Sequence, residues 1–234
     1  LGYLLGPRVN AGGRIGKADL GARLLTTSSE EEAAGLAHEL DRLNADRRQI
    51  EADILALAIE QVETCDIDGP LVWAAGEGWH PGVVGIIAAR LKEKFNRPAV
   101  VIGVDGDDGK GSARSVSGVD LGSAIATLAR EGSITKGGGH KMAAGLSVDA
   151  AQIKPAMARL GELLAKYMNV ISAPRTLRID GALSAAAATP ELIEMVEAAG
   201  PFGAGAPAPR YVLADARITF GKRVGDDHFR ATLQ

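Results

Sequence analysis

Apolar residues recur at three- and four-residue steps from Leu36 through Leu40 and Leu43, then Ile50, Ile54 and Leu57, the period of an amphipathic helix. Ser28 or Ser29 is placed to cap that helix. Glu30, Glu31 and Glu32 fall in its first turn, where the macrodipole favours acids. Carried to about Thr64, the helix would be about 50 Å long at 1.5 Å per residue. So long and acidic a helix suits a strut between domains better than a core element. A shorter helix is expected over residues 18–26. Residues 6–16 contain four glycines and read as a loop.

After Gly69-Pro70 the pattern becomes an alternation of strands and helices. Strands are expected at 71–75, 99–104, 110–116 and 143–148, with a turn at 105–109. Helices are expected at 83–95, 121–131 and 150–168. That alternation predicts an α/β domain with a central sheet over residues 70–168. The style shifts again at Pro174. A strand at 177–182, a short helix at 190–199, a loop at 200–209 and strands at 211–219 and 228–233 suit a partial β-barrel. Gly225-Asp226-Asp227 forms the expected turn between the last two strands.

Composition narrows the class. With 234 residues, 46% hydrophobic and 24% charged, the chain can bury a core without covalent staples. The single Cys65 excludes a disulfide scaffold and a cysteine-rich zinc module, and points to a reducing compartment such as the cytoplasm. No apolar run approaches the roughly 20 residues of a membrane-spanning helix, and no leader-like segment opens the chain. The chain starts at Leu1 without an initiator Met and stops inside a strand-like run, as a piece of a longer protein would.

The net charge of −3 argues against coating nucleic acid by bulk electrostatics. The charge is unevenly spread, however. Residues 1–25 hold four cations against one acid, residues 29–63 ten acids against three arginines, and residues 80–147 nine Lys and Arg against six acids. A local anionic ligand fits this distribution; a broad basic face does not.

Three motifs carry candidate chemistry. Gly76-Glu77-Gly78-Trp79-His80-Pro81-Gly82 leads from a strand into a helix N-terminus, where free N–H groups and the dipole favour anions. It reads equally as a tight turn around a packed Trp. In Lys110-Gly111-Ser112-Ala113-Arg114-Ser115, Ser112 and Arg114 alternate along a strand and share a face, so both can grip one phosphate. A lone pair of this kind is more often a solvated strand edge. Gly137-Gly138-Gly139-His140 is costly in backbone entropy and suits a loop whose N–H groups cradle a phosphate, with His140 as a donor beside it. The bland alternative is a flexible loop.

The four histidines form no metal-binding motif, and Asp105, Asp107 and Asp108 lack the spacing of a calcium loop. No Ser–His–Asp or Cys–His nucleophile stands out. The chain is therefore expected to bind anions without a catalytic metal centre of its own.

Taken in order, Gly6-Pro7-Arg8-Val9-Asn10-Ala11-Gly12-Gly13-Arg14, the segment Trp79–Leu91, Gly111–Ser115 and Gly137–Gly145 resemble the RecJ single-strand-specific exonucleases of the DHH phosphoesterase family. Gly200–Pro207 resembles the family's GPFG-x-G-N-P segment, with Ala206 where Asn is usual. The resemblance implies that residues 1–28 end the catalytic DHH domain and 29–65 form the long connector helix. Residues 70–168 would then be a DHH-associated α/β domain with a central mixed sheet, and 175–234 the first part of an OB-type barrel.

It also implies 5′-to-3′ hydrolysis of single-stranded DNA in repair and recombination, with manganese or magnesium bound upstream of this chain and none by the chain itself. Ser112 and Arg114 would hold the 5′-phosphate. Gly137, Gly138, Gly139 and His140 would close over the catalytic cleft. Arg8, Asn10 and Arg14 match the catalytic-domain tail and His80 the strand-to-helix turn. A single-strand-binding protein and a helicase are the implied partners, and no membrane is involved. The alternatives are an oligoribonucleotide or cyclic-dinucleotide phosphodiesterase of the same family and a non-catalytic RNA-binding module.

Overall fold

In the computed structural model the described residues are 2, 4–65, 67–173, 176–203, 205–214, 216–225 and 228–233. Within the segments read above, Leu1, Pro174, Ala204, Asp226 and Asp227 fall outside this set. The chain divides into two units, Leu1–Ala173 and Pro174–Gln234.

The first unit opens with three helices, α1 (Leu5–Ile15), α2 (Leu20–Thr26) and α3 (Glu30–Glu63). The glycine-rich segment expected to be a loop is therefore helical. Its glycines are the reason it fits: a Cβ on Gly12 would lie 3.2 Å from Leu40 Cδ2, and one on Gly16 2.8 Å from Leu43 Cδ1. Close packing on α3 overrides a helix propensity that costs about 1 kcal/mol per glycine. The long helix matches its expectation. The Ser29 side chain accepts a hydrogen bond from Glu32 N–H, and the three glutamates occupy the first turn. Leu36, Leu40 and Leu43 pack against Ala11 and Leu20, and Ile54, Ala58 and Val62 face the next domain layer.

Then follow β1 (Val72–Glu77), α4 (Pro81–Phe95), β2 (Ala99–Asp105), β3 (Asp108–Arg114), α5 (Leu121–Arg130), β4 (Lys136–His140), β5 (Ala143–Asp149), α6 (Ile153–Leu164) and α7 (Met168–Ile171). The strands form one mixed sheet in the order β1-β2-β3-β5-β4. Strands β1 and β2 are parallel and all other pairs antiparallel. This is the α/β architecture expected. Helix α4 starts two residues earlier than its apolar pattern, because Pro81 suits the first helical position. The helix expected over 150–168 is interrupted by 3₁₀ turns at Ala150–Gln152 and Ala165–Tyr167.

A larger correction concerns Gly137–His140, expected as a loop and found in edge strand β4, paired along β5 from Lys136↔Ser147 to His140↔Ala143. Glycine is needed there for closeness: a Cβ on Gly137 would lie 2.6 Å from Ile134 Cδ1, and one on Gly139 2.5 Å from Ala144 Cα.

The period-2 alternation of the strands builds two cores. One face carries Val100, Ile102, Ala113, Leu146 and Val148 against α5 and α6. The other carries Val72, Ala74, Ala99 and Val101 against α3 and α4. The opposite edge, β1, is covered by α3: the Gln61 amide donates to Ala75 O and accepts from Ala75 N at 3.0 and 3.1 Å. Such cover removes an unpaired strand edge.

The second unit contains β6 (Gly181–Leu183), α8 (Pro190–Ala198), β7 (Tyr211–Leu213), β8 (Ile218–Val224) and β9 (His228–Leu233). Strands β6 and β7 pair in parallel and β8 with β9 in antiparallel. The expected strand 177–182 shrinks to β6, and the expected strand 211–219 divides between β7 and β8.

Candidate functional site

Register decides which motif residues meet. Ser112 and Arg114 share the sheet face that carries Val101 and Ala99, since those are their partners across β2–β3. Helix α4 covers this face over β1 and β2 and stops at β3. The remainder of the face has three cross-strand rows. Arg114 lies beside Ala143 and His140, Ser112 beside Gly145 and Gly138, and Lys110 beside Ser147 and Lys136. Two motifs separated by more than twenty residues in sequence thus share one surface. Gly138 and His140 face it with Ser112 and Arg114; Gly137 and Gly139 point the other way.

The Arg114 guanidinium donates to Ser112 Oγ and to Ala113 O, both at 2.9 Å. Its other amino group lies close to α4: a Cβ on Gly85 would be 3.0 Å from Arg114 Nη2 and 3.1 Å from Ser112 Oγ. Gly85 is therefore part of the site, although the sequence pattern did not single it out. A small residue one turn after a helix N-terminus that packs on a Ser-x-Arg strand is the signal that could have found it.

Arg14, at the last turn of α1, donates to Gly82 O at 3.1 Å, and its backbone sits where a side chain on Gly82 would go. Burial, and then the charge of Arg14, lower the Arg114 pKa from the ordinary guanidinium value. Among the described residues neither arginine forms an ion pair within 4 Å. Two converging cations without a carboxylate between them favour an anion at that point.

The remaining candidates are placed differently. Arg8 is bound to Asp41 of α3 at 2.6 Å and to Leu4 O at 2.8 Å, which makes it a brace between α1 and α3. Asn10 and Arg14 line a cavity of about 650 Å³ between α1, α3 and α4, together with Arg47, Arg48, Glu51 and Arg90. His80 caps α4: its Nδ1 accepts the Gly82 N–H at 3.0 Å. Trp79 is buried, with its ring over Gly76 and its backbone over Gly103, so the structural reading of that turn holds for Trp79.

Among the described residues no group of three or more His, Cys, Asp or Glu could hold a metal ion, and no step is derived through one. No helix among them is long and apolar enough to cross a membrane.

Comparison with known proteins follows the same division. The DHHA1 domain model matches residues 68–166 and the RecJ OB domain model residues 179–234. The chain is 36% identical over its whole length to the single-stranded-DNA-specific exonuclease RecJ of Escherichia coli K12, of which it covers 42%. It is 33% identical to that of Bacillus subtilis 168, of which it covers 30%. The crystal structure of Thermus thermophilus RecJ in complex with Mg2+ superimposes with a TM-score of 0.83 at 29% identity, over 99% of this chain and 36% of that one. A crystal structure of exonuclease RecJ bound to manganese matches at a TM-score of 0.62 and 32% identity, over 73% of this chain and 42% of that one. The chain thus spans about two-fifths or less of the length of these relatives. With both domain models in order and similarity running from end to end, the chain belongs to the RecJ family.

Proposed function

We propose that this chain is the strand-gripping part of a 5′-to-3′ single-stranded-DNA exonuclease acting in DNA repair and recombination. The observation that carries the proposal is the convergence of Ser112 and Arg114 with Gly138 and His140 on one uncovered sheet face. Arg114 and Ser112 hold the 5′-terminal phosphate, with Arg14 adding charge. The peptide floor at Gly138 leaves room for the strand, and His140 sits at the end of the same face as a donor. Bases are read little, because phosphate contacts carry no sequence information.

In this reading residues 1–28 belong to the catalytic domain, 29–65 to its connector, 70–168 to the DHH-associated domain and 175–234 to the OB-type domain. Manganese or magnesium is held by other parts of the parent enzyme and polarises the scissile phosphate. The enzyme works in the cytoplasm, with a single-strand-binding protein and a helicase as partners. The OB match over residues 179–234 favours this reading over a small oligoribonucleotide phosphodiesterase or an RNA-binding module.

The test is fluorescence anisotropy with a short single-stranded DNA, 5′-phosphorylated or 5′-hydroxyl, at low salt. The phosphate should tighten binding about tenfold, the value of one charge-assisted contact of roughly 1.5–3 kcal/mol taken at its lower end. Arg114→Ala should remove the difference. Equal binding of the two ends by the unaltered chain would refute the proposal.

A further inference from the structure

The uncovered face continues past the residues that a terminal phosphate needs. Lys110 on β3 lies opposite Ser147 on β5, and Ser147 opposite Lys136 on β4. This row is two strand residues from the Ser112–Gly145–Gly138 row, about 6.8 Å at 3.4 Å per residue. The three residues border a trough of about 540 Å³ whose lining also includes Gly138 and Gly145.

Nothing stands between the two rows. A Cβ on Gly138 would meet no atom within 4 Å, and one on Gly145 only Gly111 O, at 3.9 Å. Both lysines are exposed, and neither forms an ion pair within 4 Å among the described residues. One row further, Asp108 lies opposite Asp149 and ends the positive stretch. Two flexible ammonium groups flanking a hydroxyl suit a phosphate approached as a point charge. The planar guanidinium of Arg114 suits the more demanding terminal group.

We infer that Lys110, Ser147 and Lys136 form a second phosphate subsite, which takes the phosphate covalently next to the one held by Ser112 and Arg114; the inference rests on that proposed site. Two sources share this chemistry: the adjacent phosphodiester of the strand, and the second phosphate of a 5′-diphosphorylated end.

The test compares the unaltered chain with Lys110→Gln/Lys136→Gln, both at exposed positions, by anisotropy from low to moderate salt. Three strands are used, 5′-hydroxyl, 5′-monophosphate and 5′-diphosphate, and Arg114→Ala is run in parallel. If the subsite holds a phosphodiester, the double variant binds all three about tenfold more weakly. Its log K against log salt slope is then shallower by about 0.7, the single-strand value for one lost contact. The preference for a 5′-phosphate survives. If the subsite holds the second phosphate of the end, only the 5′-diphosphate strand loses affinity. Unchanged affinity and slope for all three strands would overturn the subsite, while loss of the 5′-phosphate preference in Arg114→Ala alone would leave the first site standing. Failure of the unaltered chain to bind any strand would overturn both.

Discussion

Arg114 is held in place by neutral groups, Ser112 Oγ and Ala113 O, and is pushed toward deprotonation by burial and by Arg14. A guanidinium in such surroundings gains most when an anion arrives. The contact with Gly85 gives a prediction with two signs. Gly85→Ala puts a methyl 3.0 Å from Arg114 Nη2 and 3.1 Å from Ser112 Oγ, so both must shift. Helix α4 should gain up to about 1 kcal/mol from the better helix former, while discrimination between phosphorylated and hydroxyl ends falls severalfold. Chemical denaturation and anisotropy on the same sample check both halves. A variant that is stabilised yet keeps full discrimination would show that the Arg114–Ser112 spacing is not critical.

Strand β4 and helix α5 form the element on which the glycine motif depends. A Cβ on Gly139 would meet Ala144 Cα at 2.5 Å, and both this neighbour and Ala143 O are backbone that cannot swing aside. Gly139→Ala should therefore destabilise the first unit by about 1–3 kcal/mol, the range of overpacking, as measured by urea unfolding. Gly138→Ala, with open space at its Cβ, should leave stability almost unchanged.

Helix α5 starts at the Asp120 cap, which accepts the Ser123 N–H and hydroxyl at 3.0 Å each. The Ser123 amide bond, followed by its hydroxyl, lowers the Asp120 pKa below the usual carboxylate range. A depressed folded-state pKa stabilises above the unfolded value and stops doing so as pH falls through the folded value. The melting temperature of Asp120→Ala should thus lie below that of the unaltered chain at pH 7, and the gap should close as pH drops below about 4.

The elements that sequence reasoning placed well were those whose period or caps are local, such as α3 with Ser29 and Glu30–Glu32. It missed α1 and β4, because their glycines are explained only by Leu40, Leu43, Ile134 and Ala144, residues outside the local pattern. The same holds for the site. Ser112 and Arg114 share a face by alternation alone, but their alignment with Gly138 and His140 depends on β5 inserting between β3 and β4.

The whole chain has a net charge of −3, with its cations concentrated where α1, α4 and the sheet face converge and its acids along α3. Such a molecule holds single strands by a few placed phosphate contacts, so its binding should weaken steeply with salt. Among the described residues no cluster of His, Cys, Asp or Glu could carry metals. The 234-residue chain should accordingly release no nucleotides from a labelled single strand in the presence of manganese or magnesium. Metal-dependent release by pure chain would contradict the assignment of catalysis to other parts of the parent. The central claim is the location of the terminal phosphate, and a crystal structure of the chain with a 5′-phosphorylated oligodeoxythymidylate tests it most directly. The account predicts terminal phosphate oxygens about 2.7–2.9 Å from the Arg114 guanidinium, with Ser112 Oγ in hydrogen-bond contact. A phosphate seated instead beside Arg47, Arg48 and Arg90, or on the second unit, would contradict it.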